Sequence, residues 1–270
     1  MNEIIRNQEY DDLISSMQEL ETELAILVYD RDQLLYHICP KLKAEYMLKI
    51  GKLEYAIFEY QCKILRTRRK IEIIQSFINR EQLYIVAKIE KQLDCEYQEY
   101  TKKLLEKKQE IENARLKKSS LGKPLTAKET VELKKLYTQI VKKLHPDINP
   151  DTTEEQHSQF SDAVNAYKRA DLPELRIIYL LIEKTSTAKT SNSMDNLKSR
   201  KELLIDQKSY LLNEIEKIHA AFPYNVKDML NNKEILQKKI DELSGILAEH
   251  HEQCNNIEKR LESMILSGHE

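Results

Sequence analysis

The residues of this chain that could do chemistry together lie in one short loop, where His145, Pro146 and Asp147 follow one another. Proline fixes one backbone angle and has no N–H to donate, so we expect the loop to hold His145 and Asp147 out at its tip. Nucleophilic catalysis would need an activated nucleophile next to this pair, and no candidate for one adjoins it. We therefore predict that both residues contact a partner molecule, that the chain has no catalytic residue, and that it is not an enzyme.

The same loop contains Asp147, Asn149 and Asp151, the spacing with which a calcium-binding loop begins. Such a loop needs glycine at its sixth position for a sharp turn and glutamate at its twelfth as a bidentate ligand. This chain has Thr152 and Ser158 at those two positions. The sequence therefore predicts no calcium site here.

His250 and Cys254, four residues apart, could form half of a zinc site. Both lie on the apolar stripe of a predicted helix, where a polar residue more often sets the packing register, and the sequence offers no second pair of ligands. The cysteines form no Cys-x-x-Cys pair, which argues against a zinc ribbon or a redox motif. They are Cys39, Cys62, Cys95 and Cys254. We predict no metal and no cofactor.

A basic run at residues 66–70 (Arg-Thr-Arg-Arg-Lys) could contact nucleic acid or an acidic partner. Glu54, Glu59 and Glu72 lie within a few helical turns, so a solvated helix face of mixed charge is favoured. Over the whole chain 43 basic residues oppose 45 acidic ones, whereas general polyanion binders are usually strongly basic. The sequence disfavours nucleic acid as a partner, and a nucleic-acid-associated protein is the weakest of our functional hypotheses.

The elements that must position these residues are helices. Among 270 residues there are only 4 glycines, 6 prolines and no tryptophan. Glycine and proline form turns and interrupt helices, and these are too few for the many turns of all-β or α/β folds. No stretch approaches the roughly 18 apolar residues of a membrane span, and the N-terminus is charged almost from its start, unlike a signal peptide. The sequence predicts an all-α, cytoplasmic protein with no membrane contact.

In the N-terminal part, apolar residues recur three and four positions apart over residues 10–38 and again over 46–78. This spacing is typical of helices that supercoil around a partner. Pro40 disfavours helical geometry in the residue before it, so a break there should join the two helices as an antiparallel hairpin. A looser pattern over 85–111 predicts a third long helix, either separate from the second or continuous with it. We assign residues 1–118 to an N-terminal helical coiled coil.

The C-terminal part shows the same spacing over residues 197–222 and 236–264. The sequence Pro-Tyr-Asn at 223–225 separates them, which predicts a second antiparallel coiled-coil hairpin at 197–270. Small polar residues at 185–196 predict a flexible linker before it.

Between the coiled coils, residues 119–184 are predicted to form a small module of three helices. Each helix begins with a pair of residues that can cap its start, namely Thr126 with Glu129, Thr152 with Glu155, and Asp171 with Glu174. The first helix, about residues 127–144, has five lysines against two glutamates, whereas the stretch 151–171 has five acids against two bases. Apolar residues at helical spacing predict the shared core of Leu133, Leu136, Tyr137, Ile140, Leu144, Phe160, Ala163 and Tyr167.

A His-Pro-Asp loop that follows a lysine-rich helix and precedes a helix reading Phe-x-x-Ala-Val-x-Ala-Tyr resembles the J domain of DnaJ-type co-chaperones. In J domains this loop and the basic helix dock on a heat-shock-70 (DnaK-type) chaperone and accelerate its hydrolysis of ATP. The resemblance implies that Asp147 pairs with an arginine of that chaperone. It also implies that an acidic chaperone surface meets Lys134, Lys135, Lys142 and Lys143, which would contribute mainly association rate and orientation.

The chain departs from the J-domain pattern in several places. Thr138 and Gln139 stand where two basic residues usually follow the helix tyrosine, which weakens part of the docking face. Of the usual first helix, which ends in Leu-Gly, only a possible remnant is present, at Leu121 and Gly122. The end of the preceding helix, residues 104–116, is the candidate to replace it. The final helix also lacks its usual basic start.

No Gly/Phe-rich stretch and no Cys-x-x-Cys zinc repeats follow the module. The resemblance therefore implies a co-chaperone that delivers one client or one site, with an unidentified client or a second copy of the chain held by the coiled coils. The alternative hypothesis is a coiled-coil scaffold or assembly protein whose J-like module no longer engages a chaperone.

Overall fold

The computed structural model describes residues 2–119, 125–185 and 194–267. Regular structure in these ranges is helical and includes no strand, which confirms the predicted all-α class. The helices are α1 (Asn2–Gln33), α2 (Cys39–Tyr46), α3 (Lys52–Ile78), α4 (Val86–Glu96), α5 (Gln98–Ser119), α6 (Ala127–Leu144), α7 (Glu154–Lys168), α8 (Leu172–Thr185), α9 (Met194–Ala220), α10 (Lys227–Asn231) and α11 (Lys233–Ser267). Within the described ranges, no helix combines the length and apolar composition that a bilayer span requires.

Pro40 does not end a helix, so the predicted break at that position is wrong. A π-helical segment, Leu34–Ile38, joins α1 to α2, and the N–H of Cys39 donates to the carbonyl of Leu34 five residues back. Proline within an α-helix lacks a donor and clashes with the carbonyl four residues back. The extra residue of a π turn lets the chain pass this point without leaving helical geometry.

The chain divides into two compact units, each built from an N-terminal and a more C-terminal stretch. The first unit comprises Met1–Lys41 and Gly122–Asn225, and the second comprises Leu42–Leu121 and Val226–Glu270. This division differs from the predicted domain boundaries, because the N-terminal coiled coil and the C-terminal hairpin are each shared between the two units. Residues 186–193 of the predicted linker lie outside the described residues.

In the first unit, α1 pairs with α9. The row of α9 buried in the first unit's core consists of Leu197, Leu204 and Leu211. Glu21 of α1 forms an ion pair with Arg200 of α9. Glu23 pairs with Lys208, which is further along both helices, so α1 and α9 run parallel.

In the second unit, α3 pairs with α11. The side-chain nitrogen of Gln61 lies 3.1 Å from Nε2 of His250. Lys63 forms a 2.7 Å ion pair with Glu258, again further along both helices, so this pair is also parallel. The chain turns after α3, and α4 and α5, which divide the predicted third helix, pack on α3.

Both predicted antiparallel hairpins are therefore wrong. A seam of apolar residues three and four apart identifies the face of a helix that packs, but it does not say which helix packs against it. The short turns that favour hairpins misled the prediction, because α1 continues helically past Pro40 and because α9 and α11 belong to different units.

Candidate functional site

The helices that carry the His-Pro-Asp loop begin at side-chain caps. At the start of α6, Thr126 Oγ1 accepts from the N–H of Glu129, and the Glu129 carboxylate accepts from the N–H of Thr126, as predicted. At the start of α7, the same reciprocal box is formed by Thr153 and Gln156. The predicted pair at 152 and 155 was therefore one residue too early. At the start of α8, Asp171 accepts from the backbone of Glu174.

The predicted module core packs together. Six of its members are buried: Leu133, Tyr137, Ile140, Leu144, Ala163 and Tyr167. Leu136 and Phe160 are partly buried against the same cluster. The rings of Tyr137 and Tyr167 stack with centroids 4.0 Å apart, which joins α6 to α7.

Besides α6, α7 and α8, a fourth helix lines this core, namely α1, which the sequence did not indicate. Met17, Leu24 and Val28 of α1 belong to the same cluster as the module residues. The predicted substitute, residues 104–116 of α5, belongs to the second unit and packs on α3, so that expectation is wrong. The possible remnant of the usual first helix, at residues 121 and 122, lies outside the described residues.

A buried polar contact links α1 to α6. Asp32 is only 2% exposed, and its Oδ2 accepts a 2.6 Å hydrogen bond from the hydroxyl of Tyr137. Arg31 donates to the other carboxylate oxygen through Nε and Nη2, at 3.0 and 2.8 Å. Burial is the main cause that raises the pKa of Tyr137, and the charge of Asp32 raises it further. The hydroxyl therefore stays protonated and can donate. The sequence held one signal for this contact, because Arg31 interrupts an otherwise apolar seam.

His145 is buried, so the prediction that the loop holds it out at its tip is wrong. It is 7% exposed, and its ring meets Phe160 edge-on at 5.2 Å between centroids. Its Nδ1 accepts a 3.1 Å hydrogen bond from the N–H of Asp147. Burial lowers the pKa of His145, the nearby Asp147 carboxylate opposes this, and the Arg31 charge reinforces it. The neutral imidazole therefore shapes the loop from inside.

Asp147 is an exposed acid of the loop, with 43% of its side chain accessible. The backbone around it is fixed, because the N–H groups of Ile148 and Asn149 both donate to the carbonyl of His145, at 3.0 and 2.8 Å. The Asn149 side chain donates to the carbonyl of Lys142 at 2.7 Å and closes the end of α6. The carboxylate thus lies on a rigid turn that immediately follows a basic helix.

Two of the predicted docking lysines contact α1. Lys142 Nζ donates to Thr22 Oγ1 at 2.6 Å and to the carbonyl of Gln18 at 3.3 Å. Lys134 Nζ lies 4.7 Å from the ring centroid of Tyr29, a cation–π distance. Because α1 lies along this side of α6, both lysines have partners within the chain.

The other two predicted docking lysines differ from each other. Lys143 Nζ lies 5.3 Å from the ring centroid of Tyr179 on α8. Lys135 is exposed and forms no ion pair with any residue of the described ranges. It is therefore the member of the set most available to a partner.

Three basic residues of the run at 66–70, namely Arg66, Arg69 and Lys70, form ion pairs within the second unit. Arg66 contacts Glu90 and Asp94 at 2.6 and 2.8 Å, both on α4. Arg69 contacts Glu96 at 3.0 Å, also on α4. These pairs hold α4 on α3, a role that the sequence pattern did not indicate.

His250 and Cys254 lie in the interface of α3 and α11. Cys254 is 1% exposed, and His250 contacts Gln61 and the carbonyl of Ile246. Among the described residues, no group of three or more His, Cys, Asp or Glu side chains could hold a metal ion.

The chain matches no family model, no curated protein and no solved structure. Its function is therefore inferred from the residues and contacts described above. The resemblance to J domains stays a prediction from the sequence, based on the loop and the two helices that flank it.

Proposed function

We propose that this chain is a cytoplasmic J-domain co-chaperone that docks on a heat-shock-70 (DnaK-type) chaperone and stimulates its ATP hydrolysis. The observation that carries the proposal is Asp147, an exposed carboxylate on a rigid His-Pro-Asp turn at the end of a lysine-rich helix. The chain itself is not an enzyme. The parallel helix pairs, α1 with α9 and α3 with α11, provide surfaces for a client protein or for a second copy of the chain.

Each part of the site has a separate role in this proposal. Asp147 pairs with an arginine of the chaperone, a charge-assisted contact that can form two parallel hydrogen bonds. His145 keeps the turn in shape through its bond to the Asp147 N–H. Lys135 meets an acidic surface of the chaperone and mainly raises the association rate. Lys142 also contacts this acidic surface once its Nζ gives up the hydrogen bond to Thr22 and pairs with an acid of the chaperone instead.

The test is the ATPase rate of a purified DnaK-type chaperone with increasing amounts of the full chain. We expect the rate to rise and saturate, and the rise to be lost in Asp147→Asn. Asp151→Asn is the matched control, because Asp151 is an exposed acid of the same loop that lies outside the motif. No rise with the unaltered chain, or equal loss in both variants, would contradict the proposal. His145→Gln should also lose stimulation, through the shape of the loop.

A second candidate function is supported by the contacts of α1. Lys134 and Lys142 already have partners on α1, so the J-like module could serve only as a packing unit in a coiled-coil scaffold. Sedimentation of the full chain with and without the chaperone separates the two functions. A stable self-assembly with no chaperone bound supports the scaffold, whereas a complex lost in Asp147→Asn supports the co-chaperone.

A further inference from the structure

An arginine from a distant helix reaches the His-Pro-Asp loop. Arg200 lies on α9, and its Nη2 is 3.2 Å from the carbonyl oxygen of Ile148, the residue that follows Asp147. The same nitrogen lies 3.5 Å from Oδ1 of Asn149. It also forms a 3.3 Å ion pair with Glu21 of α1. One guanidinium nitrogen of α9 thus contacts both the loop and α1.

We infer that Arg200 is a positioning residue that holds the His-Pro-Asp loop in the shape that docks on the chaperone. This inference rests on the proposed function and deepens it, because it links the α1/α9 pair to the docking loop. Arg200 does not meet the chaperone in this account. It acts on Asp147 through the backbone of Ile148 and the side chain of Asn149.

The contacts form a continuous chain from one helix to the next. The end of α6 is held by Asn149, whose amide nitrogen donates to the carbonyl of Lys142 and whose amide oxygen faces Arg200. Ile148 is 1% exposed, so its position is also fixed by packing. Glu21 orients the guanidinium, because hydrogen bonds between charged groups are the stronger and more directional ones.

Lys208 supplies a matched comparison. It forms a 2.7 Å ion pair with Glu23 across the same α1/α9 interface, and it has no contact with the loop. Replacing either basic residue by glutamine removes one ion pair between α1 and α9. Only Arg200→Gln also removes the bond to the loop carbonyl.

The first measurement is amide hydrogen exchange at Ile148 and Asn149 in the full chain. We expect exchange at these two positions to become about tenfold faster in Arg200→Gln, since loss of one charge-assisted bond favours local opening. It should stay unchanged in Lys208→Gln, and Arg200→Lys should restore part of the protection because it keeps the charge beside Glu21. Equal exchange in the two glutamine variants overturns the positioning role.

The second measurement is the dependence of the ATPase rate on the concentration of the chain. In Arg200→Gln the concentration for half-maximal stimulation should rise by the factor by which the docking-competent fraction of the loop falls, about twofold if half of the loops lose that shape, while the maximal rate is retained. An unchanged concentration overturns the link to docking. If the unaltered chain does not stimulate at all, the proposed function fails, while the exchange result still decides whether Arg200 holds the loop. If Arg200→Gln does not fold, Glu21→Gln tests the inference, because it removes the carboxylate that orients the Arg200 guanidinium and should also speed exchange at Ile148 and Asn149.

Discussion

The buried hydrogen bond between Tyr137 and Asp32 predicts how much the contact between α1 and α6 contributes to stability. Tyr137→Phe removes only the hydroxyl and leaves Oδ2 of Asp32 without its donor in a site that is 2% exposed. A hydrogen bond to a charged group contributes about 1.5–3 kcal/mol, and a buried acceptor left unpaired is costly. We expect the free energy of unfolding to fall by about 2 kcal/mol. Arg31 still pairs with the other carboxylate oxygen, so the loss stays within this range.

Tyr179→Phe is the matched control for this prediction. The hydroxyl of Tyr179 also donates to a carboxylate at 2.6 Å, that of Glu183, but the bond is exposed to solvent. Its removal should change the free energy of unfolding by less than about 0.5 kcal/mol, as is usual at the surface. The assay is urea denaturation of the full chain followed by far-ultraviolet circular dichroism. Equal effects of the two substitutions would refute the reasoning, because burial is what distinguishes them.

Three further predictions concern His145, the parallel helix pairs and the basic helix α6. Because burial lowers the pKa of His145 in the folded state, the unfolded state takes up its proton first, so stability should fall as the pH drops below about 7. In His145→Gln the free energy of unfolding should lose this part of its pH dependence, which is at most about 1.4 kcal/mol per pH unit. Urea titrations of both chains at pH 7 and pH 5 measure the difference. Carbodiimide cross-linking with mass spectrometry should join Lys208 to Glu23 and Lys63 to Glu258, whereas hairpins would join neighbouring segments instead. Raising the salt concentration should weaken docking on the chaperone and leave the maximal ATPase rate unchanged, and salt-independent docking would contradict a basic docking face.

Local features of the module could be predicted from the sequence because they depend on residues close together in the chain. Thr126 and Glu129 are three residues apart, and their capping box forms as expected. The helical spacing of Tyr137, Ile140 and Leu144 correctly predicted that these residues are buried. Helix starts and buried faces follow from such short-range rules.

The partners of those elements could not be predicted, because they are set by residues far apart in the sequence. Asp32 contacts Tyr137 across 105 positions. The interruption of the apolar seam at Arg31 marks that part of α1 as unusual, but it does not indicate which residue is the partner. The burial of His145 depends on Phe160 and on the packing of α7, so a loop predicted to be exposed turned one of its side chains inward. Pro40 misled the prediction of the coiled coils because its π-helical neighbour cannot be recognised from the composition of the segment.

The most direct test of the central claim is a single-turnover measurement of ATP hydrolysis by a DnaK-type chaperone. The unaltered chain should increase the rate constant up to saturation, Asp151→Asn should do the same, and Asp147→Asn should leave the rate at that of the chaperone alone. A rate constant that does not change with the unaltered chain at any concentration would contradict the assignment of a co-chaperone function.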